Sequence, residues 1–299
     1  MGTFFDRYAR LHFEEGGESN WSRLDTIDFS SSWKALGLKF SVDIYAAAND
    51  ANKANISVCG MLPKRIKEWI HYLSITDTHH RLVLEAGYRD ISSLTHVFTG
   101  CIARAIPTQP PDVWLNCDCV YAADLEESNV TFSTCEELSI RDIYEYASTW
   151  NGKSLLWKVA NGKTNSLKFK GFSYNGSRGN NLIEELNRMC PAVKSYLDPV
   201  THTWVAVDRV NPVNIAETVM ISKETGLIGI PEPKNARTVE FDVFLNPSIR
   251  KDQHVILHSE AFQGVVDGEY QVVSVKHSGD LRGSEWKTHL ECINPQMEG

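Results

Sequence analysis

Strict alternation of side chains in the last third of the chain constrains the fold more than any other feature. Val239, Phe241, Val243 and Leu245 fall on one side of an extended segment, while Glu240 and Asp242 fall on the other. Trp286, Thr288, Leu290 and Cys292 alternate in the same way with Lys287, His289 and Glu291. Thr225-Gly226-Leu227-Ile228-Gly229-Ile230-Pro231, with two glycines and a proline, reads as a break before the first of these strands. Asn246-Pro247 stops that strand, and a basic turn at Arg250-Lys251, a short run at 255–257, Asp267-Gly268 and a run at 270–275 follow. Short runs of period two separated by turn residues, with no helical period between them, predict a compact antiparallel meander or small barrel.

Upstream, residues 1 to about 33 are polar and poorly periodic and read as an ordered arm, with a loop at 14–20. Leu38, Phe40, Val42 and Ile44 alternate with polar residues and predict a half-buried strand. After a turn at 49–52, a strand is expected at 55–58. Pro63 opens a helix with Ile66, Trp69, Ile70 and Leu73 on one face. Strands are expected at 82–88, 97–106 and 114–121.

From 125 to 210 the pattern becomes mixed. Ser139 and Asp142 form a capping box for a helix ending near Trp150 at Asn151-Gly152. A strand at 155–159, a turn at Asn161-Gly162, a helix at 182–189 and a strand at 204–207 complete a small α/β domain.

At 299 residues the chain is long enough to bury a stable core without metal or disulfides. Seven cysteines, an odd number scattered at 59, 101, 117, 119, 135, 190 and 292, point to reduced thiols and a cytoplasmic site of synthesis. No stretch reads as a secretion signal, a lipid anchor or a run of about 18 apolar residues, so no membrane segment is expected. The formal charge of −8 argues against a surface that grips nucleic acid, because such binding rests on clustered cations.

Several motifs resemble those of phage baseplate hub proteins, the trimeric rings joining the tube of a contractile tail to its central spike. They are Thr-Gly-Leu-Ile-Gly-x-Pro at 225–231, Leu245-Asn246-Pro247-Ser248-Ile249-Arg250, Asp267-Gly268-Glu269-Tyr270-Gln271-Val272, Val275 to Asp280 and Trp286-Lys287-Thr288. Ala86-Gly87-Tyr88 and Val97-Phe98-Thr99-Gly100-x-Ile102 extend the likeness to the tube-forming fold over about residues 36 to 122.

The resemblance implies a mainly β fold with an α/β insert. Two tail-tube-like antiparallel barrels or split barrels, at 1–122 and 212–299, would flank a small α/β domain at 123–211. It further implies a homotrimer with pseudo-sixfold symmetry, a spike protein below, tail tube or tube-initiator proteins above, wedge proteins around it, and DNA passing through the lumen. It places the protein in the virion baseplate and calls for no cofactor. Gly87, Tyr88, Gly100, Gly226, Leu227, Ile228, Gly229, Pro231, Asn246 and Pro247 are the candidate structural and interface residues, with ordinary turns as the alternative. Gly229→Val is expected to impair folding or ring formation.

Residues that could carry chemistry are few. Cys117-x-Cys119 with His79-His80 lacks the second ligand pair of a structural zinc site. The pairs Glu126-Glu127, Glu136-Glu137 and Glu184-Glu185 are sequence neighbours, whereas a glycosidase needs carboxyls facing each other across a substrate. Gly226 and Gly229 have neither phosphate-loop nor dinucleotide spacing, and Ser177 does not sit in a nucleophile elbow. A non-enzymatic hub is the leading expectation. The hub of a tailocin or secretion machine, or a tail-tip wall hydrolase, stands as the alternative.

Overall fold

A computed structural model describes residues 6–17, 20–32, 36–44, 52–75, 79–121, 131–150, 152–175, 182–198, 201, 203–209, 213–259 and 266–294. The chain divides into two units. One is built from the first and last strand blocks and the other mainly from residues 122–215.

The first block contains β1 (Arg7–Gly17), β2 (Asn20–Ser30), β3 (Gly37–Ile44), β4 (Lys53–Cys59), α1 (Pro63–Ile75), β5 (His79–Tyr88), β6 (Thr95–Pro107) and β7 (Trp114–Val120). The last block contains β13 (Val219–Ser222), β14 (Leu227–Pro233), β15 (Thr238–Phe244), β16 (His254–His258), β17 (Gly268–Asp280) and β18 (Trp286–Ile293). The alternating residues behave as their period demands. Val239, Phe241, Val243, Trp286, Leu290 and Cys292 are all buried, and Glu240, Asp242, Lys287, His289 and Glu291 face outward.

Both blocks share one sheet, in the order β14-β15-β18-β17-β3-β4-β7-β6-β5-β1-β2, with β13 and β16 branching from β17. The sheet is open and runs through both blocks, where two barrels or split barrels were expected. The cause is the length of β17. Residues 268–271 pair with β16, residues 275–280 pair with β3, and β18 runs along the other side. A bulge between Val272 and Ser274 marks the change of partner.

Within this sheet a pairing order occurs twice. β3-β4-β7-β6-β5 in the first block is matched by β14-β15-β18-β17-β16 in the last. The match ends at the next strand, since β1 pairs with β5 antiparallel while β13 pairs with β16 parallel.

Two expectations are corrected locally. The N-terminal arm is a hairpin in which β1 also pairs with β5. Ala9, Leu11, Phe13, Ile27 and Phe29 enter the core, and the polar residues that mask the alternation form cross-strand pairs such as Arg10 with Asp28 and Arg81 with Glu14. Of the stretch 225–231, expected as a break, residues 227–231 belong to strand β14, which bulges between Ile228 and Glu232 and carries Gly229 at φ +73°. α1 lays Ile66 and Trp69 on the core, and Trp69 stacks on Phe13 at 4.5 Å. Asp25 holds Arg65 and accepts a 3.3 Å bond from the Trp69 indole, which fastens this helix to β2.

The second unit holds β8 (Thr131–Ser139), α2 (Ile140–Trp150), β9 (Leu155–Lys158), α3 (Gly162–Asn165), β10 (Lys168–Asn175), α4 (Leu182–Met189), β11 (Val193–Asp198) and β12 (Thr203–Asp208). The capping box forms as read. The Ser139 amide donates to Asp142 at 2.9 Å and the Asp142 amide donates to Ser139 Oγ at 3.2 Å. Asn161, expected in a turn, caps the short helix α3. β8, β10 and β11 escaped the sequence reading because their apolar positions are sparse. The turn at 49–51, the Glu126-Glu127 pair and the Ser177 loop lie outside the described residues. No described helix is long and apolar enough to cross a membrane.

Candidate functional site

The features that distinguish this molecule are a seam, a junction and two sheet edges. At the seam, side chains link the two strand blocks where no ladder does. Arg7, at the start of β1, donates to the carbonyls of Asp280 at 2.9 Å and Gly283 at 2.7 Å, and its guanidinium lies 5.7 Å from the Trp286 ring centre. Tyr88, at the end of β5, reaches the Trp286 carbonyl at 3.5 Å, and burial pushes its phenol up to about 12. Arg7→Ala removes these charge-assisted bonds and is expected to lower stability by about 1–2 kcal/mol, read by thermal unfolding. An unchanged melting temperature would show that the seam carries no load.

At the junction, β3 and β17 are tied by their ladder and by ion pairs on the outward face, Lys276 to Asp43 and Lys39 to Asp280, both at 3.2 Å. On the core face Gly279 leaves room for Phe40, because a Cβ there would lie 2.3 Å from that ring. Beneath the junction His277 is fully buried. Its Nδ1 lies 2.9 Å from Thr288 Oγ1, which also accepts the Asn246 amide at 2.9 Å. Burial alone lowers the His277 pKa to about 4.

Among the candidate residues, Gly87 pairs with Tyr8 on β1, and Tyr88 belongs to the seam. The Leu245 amide bonds the same Trp286 carbonyl at 3.2 Å, so Tyr88 meets the strand end at Asn246-Pro247. The Asn246 carboxamide oxygen accepts the Ser248 amide, an Asx turn that ends the strand. Gly100 is elsewhere, on β6 opposite Leu82. Gly226, at φ +112°, lies against the Phe244 ring, and its carbonyl accepts the Phe244 amide at 2.8 Å. Leu227, Ile228 and Gly229 continue into the outer edge strand, with Pro231 buried. Sequence reasoning missed Arg7, His277 and the exposed Ile106 and Ile230. The run Leu38–Ile44 gave no sign that its partner lay more than two hundred residues away.

Several of the groups considered for chemistry are packed or ion-paired. Cys117 and Cys119 are buried in β7. Burial, with Asp118 adding, pushes the Cys117 thiol up to about 12, and Cys119 is raised as well, which favours neutral thiols. His80 stacks on Phe13 at 5.4 Å. Among the described residues no group of three or more His, Cys, Asp or Glu side chains is placed to hold a metal ion. Glu137 pairs with Lys168 at 2.9 Å and Glu185 with Arg188 at 2.6 Å, both on the surface.

This fold is shared with solved tail proteins. The prophage MuSo2 43 kDa tail protein from Shewanella oneidensis superposes with a TM-score of 0.57 at 10% identity, covering 96% of this chain and 97% of that one. The tail protein from Neisseria meningitidis MC58 gives 0.55 at 12% identity, over 96% of each chain. The E. coli c3393 protein is a component of the type VI secretion system with structural similarity to the T4 tail proteins gp27 and gp5. It gives 0.53 at 9% identity, over 86% of this chain and 73% of its own. No curated protein matches by sequence.

The fold is therefore that of phage-type tail proteins. The model of the baseplate hub gp41 family matches residues 30–292, and the chain belongs to that family.

Proposed function

We propose that this chain is the structural hub of a tail baseplate. Three copies close a ring of six similar strand modules that holds a spike on one side and tail tube or tube-initiator proteins on the other. Wedge proteins surround it, and a central channel passes DNA. The observation that carries the reading is the doubled pairing order within one chain. Two like modules side by side let a threefold object present sixfold contacts, matching a threefold spike to a sixfold tube.

The net charge of −8 suits a conduit that repels phosphates. The ion-paired carboxylates and buried thiols favour a structural rather than an enzymatic role. The protein would be made and assembled in the host cytoplasm and reside in the virion baseplate. The likeness to a type VI secretion component favours a second reading, the same role in a phage-tail-like injection machine.

Light scattering on the purified full chain tests the proposal. A particle three times the 33.7 kDa of one chain is expected, and a particle of single-chain mass at every concentration would overturn it.

A further inference from the structure

Within one chain, the junction of β3 with β17 offers a template for an edge-to-edge contact. We propose that the outer edge of β14 in one chain meets the free half of β6 in the next copy, in the register that β3 and β17 use internally. This rests on the ring reading above.

β6 and β17 hold the same place in their blocks. Each has 13 residues, each pairs through its first half with the preceding strand, and each pairs with the following strand on its other side. Each also bulges at the corresponding point, between Ile102 and Arg104 in β6 and between Val272 and Ser274 in β17. Beyond its bulge β17 receives β3 at Val275 to Asp280. Beyond its own bulge β6 has no strand on that side among the described residues, because its ladder with β5 ends at Cys101. β14 occupies the place of β3. It pairs with β15 as β3 pairs with β4, and its other edge is likewise without a strand among the described residues.

The register follows from corresponding pairs. Cys101 opposite Val120 matches Gln271 opposite Ile293, so Ile106 corresponds to Lys276. Asp43 opposite Lys53 matches Lys234, whose amide bonds the Thr238 carbonyl at 2.9 Å. Lys276 faces Asp43 inside the chain, so Ile106 would face Lys234 between chains.

The side chains differ from those of the template in a way that suits a separable contact. Where the internal junction pairs Lys276 with Asp43, the edges set Ile106 opposite Lys234, whose ammonium is held by Glu240, and the bulged edge adds Ile228 and Ile230; the three isoleucines are exposed by 43%, 37% and 63%. The bonded position of His277 and Val42 is taken by Pro107 and Pro233. The neighbouring amides of Thr108 and Lys234 point into their own sheet, at 2.7 Å to Trp114 O and 2.9 Å to Thr238 O, so both proline nitrogens face outward. With no N–H to donate there, the edges resist indiscriminate strand addition, and apolar packing holds the chains together.

The test is a cysteine pair, Ile106→Cys with Lys234→Cys, in a Cys135→Ser background that removes the one exposed thiol among the described residues. Both sites are exposed, and directly opposed residues of an antiparallel pair lie about 4.5–5.5 Å apart at Cα, within disulfide reach. Mild oxidation is expected to give reducible two-chain and three-chain species on denaturing gels. The single variants, and Leu24→Cys with Lys234→Cys, are expected to give none. Light scattering on the same samples separates the failures. A three-chain mass without cross-links overturns this contact and leaves the ring standing, while a single-chain mass without cross-links overturns both.

Discussion

Gly100→Val is expected to lower stability by about 3 kcal/mol, enough to deplete the folded state of a marginally stable chain. A Cβ at Gly100 would stand 2.5 Å from two atoms of the Phe98 ring and 2.5 Å from the Val120 carbonyl oxygen. Phe98 is completely buried, and β7, which carries that carbonyl, is paired on both sides by β4 and β6. The carbonyl cannot withdraw without opening a ladder, nor the ring without repacking the core. Gly229→Val makes the natural comparison. No atom lies within 4 Å of its Cβ position, so the cost is the left-handed backbone at φ +73°, about 1–2 kcal/mol for a residue with a side chain. Urea midpoints should therefore fall much further for Gly100→Val, and equal falls would mean that the packing around β6 is looser than described.

Acid should weaken the protein through His277. Its pKa is about 4 in the folded state and about 6.5 when unfolded, so the neutral ring contributes stability fully above pH 6.5, and that contribution is lost as pH falls toward 4. The full shift is worth about 3 kcal/mol. His12, lowered first by burial and then by Arg23, acts in the same direction. A charged His277 must donate from Nδ1 to a Thr288 hydroxyl that already accepts the Asn246 amide, with no charged partner to offset the burial. His277→Leu forfeits the Thr288 bond at every pH, so its diagnostic is slope. Between pH 7 and 4.5 the loss of unfolding free energy should be clearly smaller than in the natural protein, and parallel slopes would remove His277 as the cause.

Local patterns were legible where one face is apolar and the other charged. Leu38 to Ile44, Val239 to Leu245 and Trp286 to Cys292 gave their strands and facing because period two survives in each. The hairpin β1-β2 did not, because Arg10 and Asp28 pair with each other across it, Glu14 pairs with Arg81 on β5, and all of them read as loop polarity. β14 was hidden by Gly226, Gly229 and Pro231, which mark a turn by composition but serve a bulged edge. The join between β3 and β17 could not be read at all, since pairing partners far apart in sequence leave no local trace. How tightly each candidate glycine is enclosed depends on neighbours that only the fold supplies. Gly100 is enclosed and Gly229 is open.

The central claim is that one chain carries two like strand modules that close, in threes, into a six-part annulus. End-on electron-microscope averages of the purified assembly test it most directly. The account predicts a ring with a central hole and six similar lobes repeating in alternate pairs. Compact single particles without a hole, or a ring whose lobe number is not six, would contradict it.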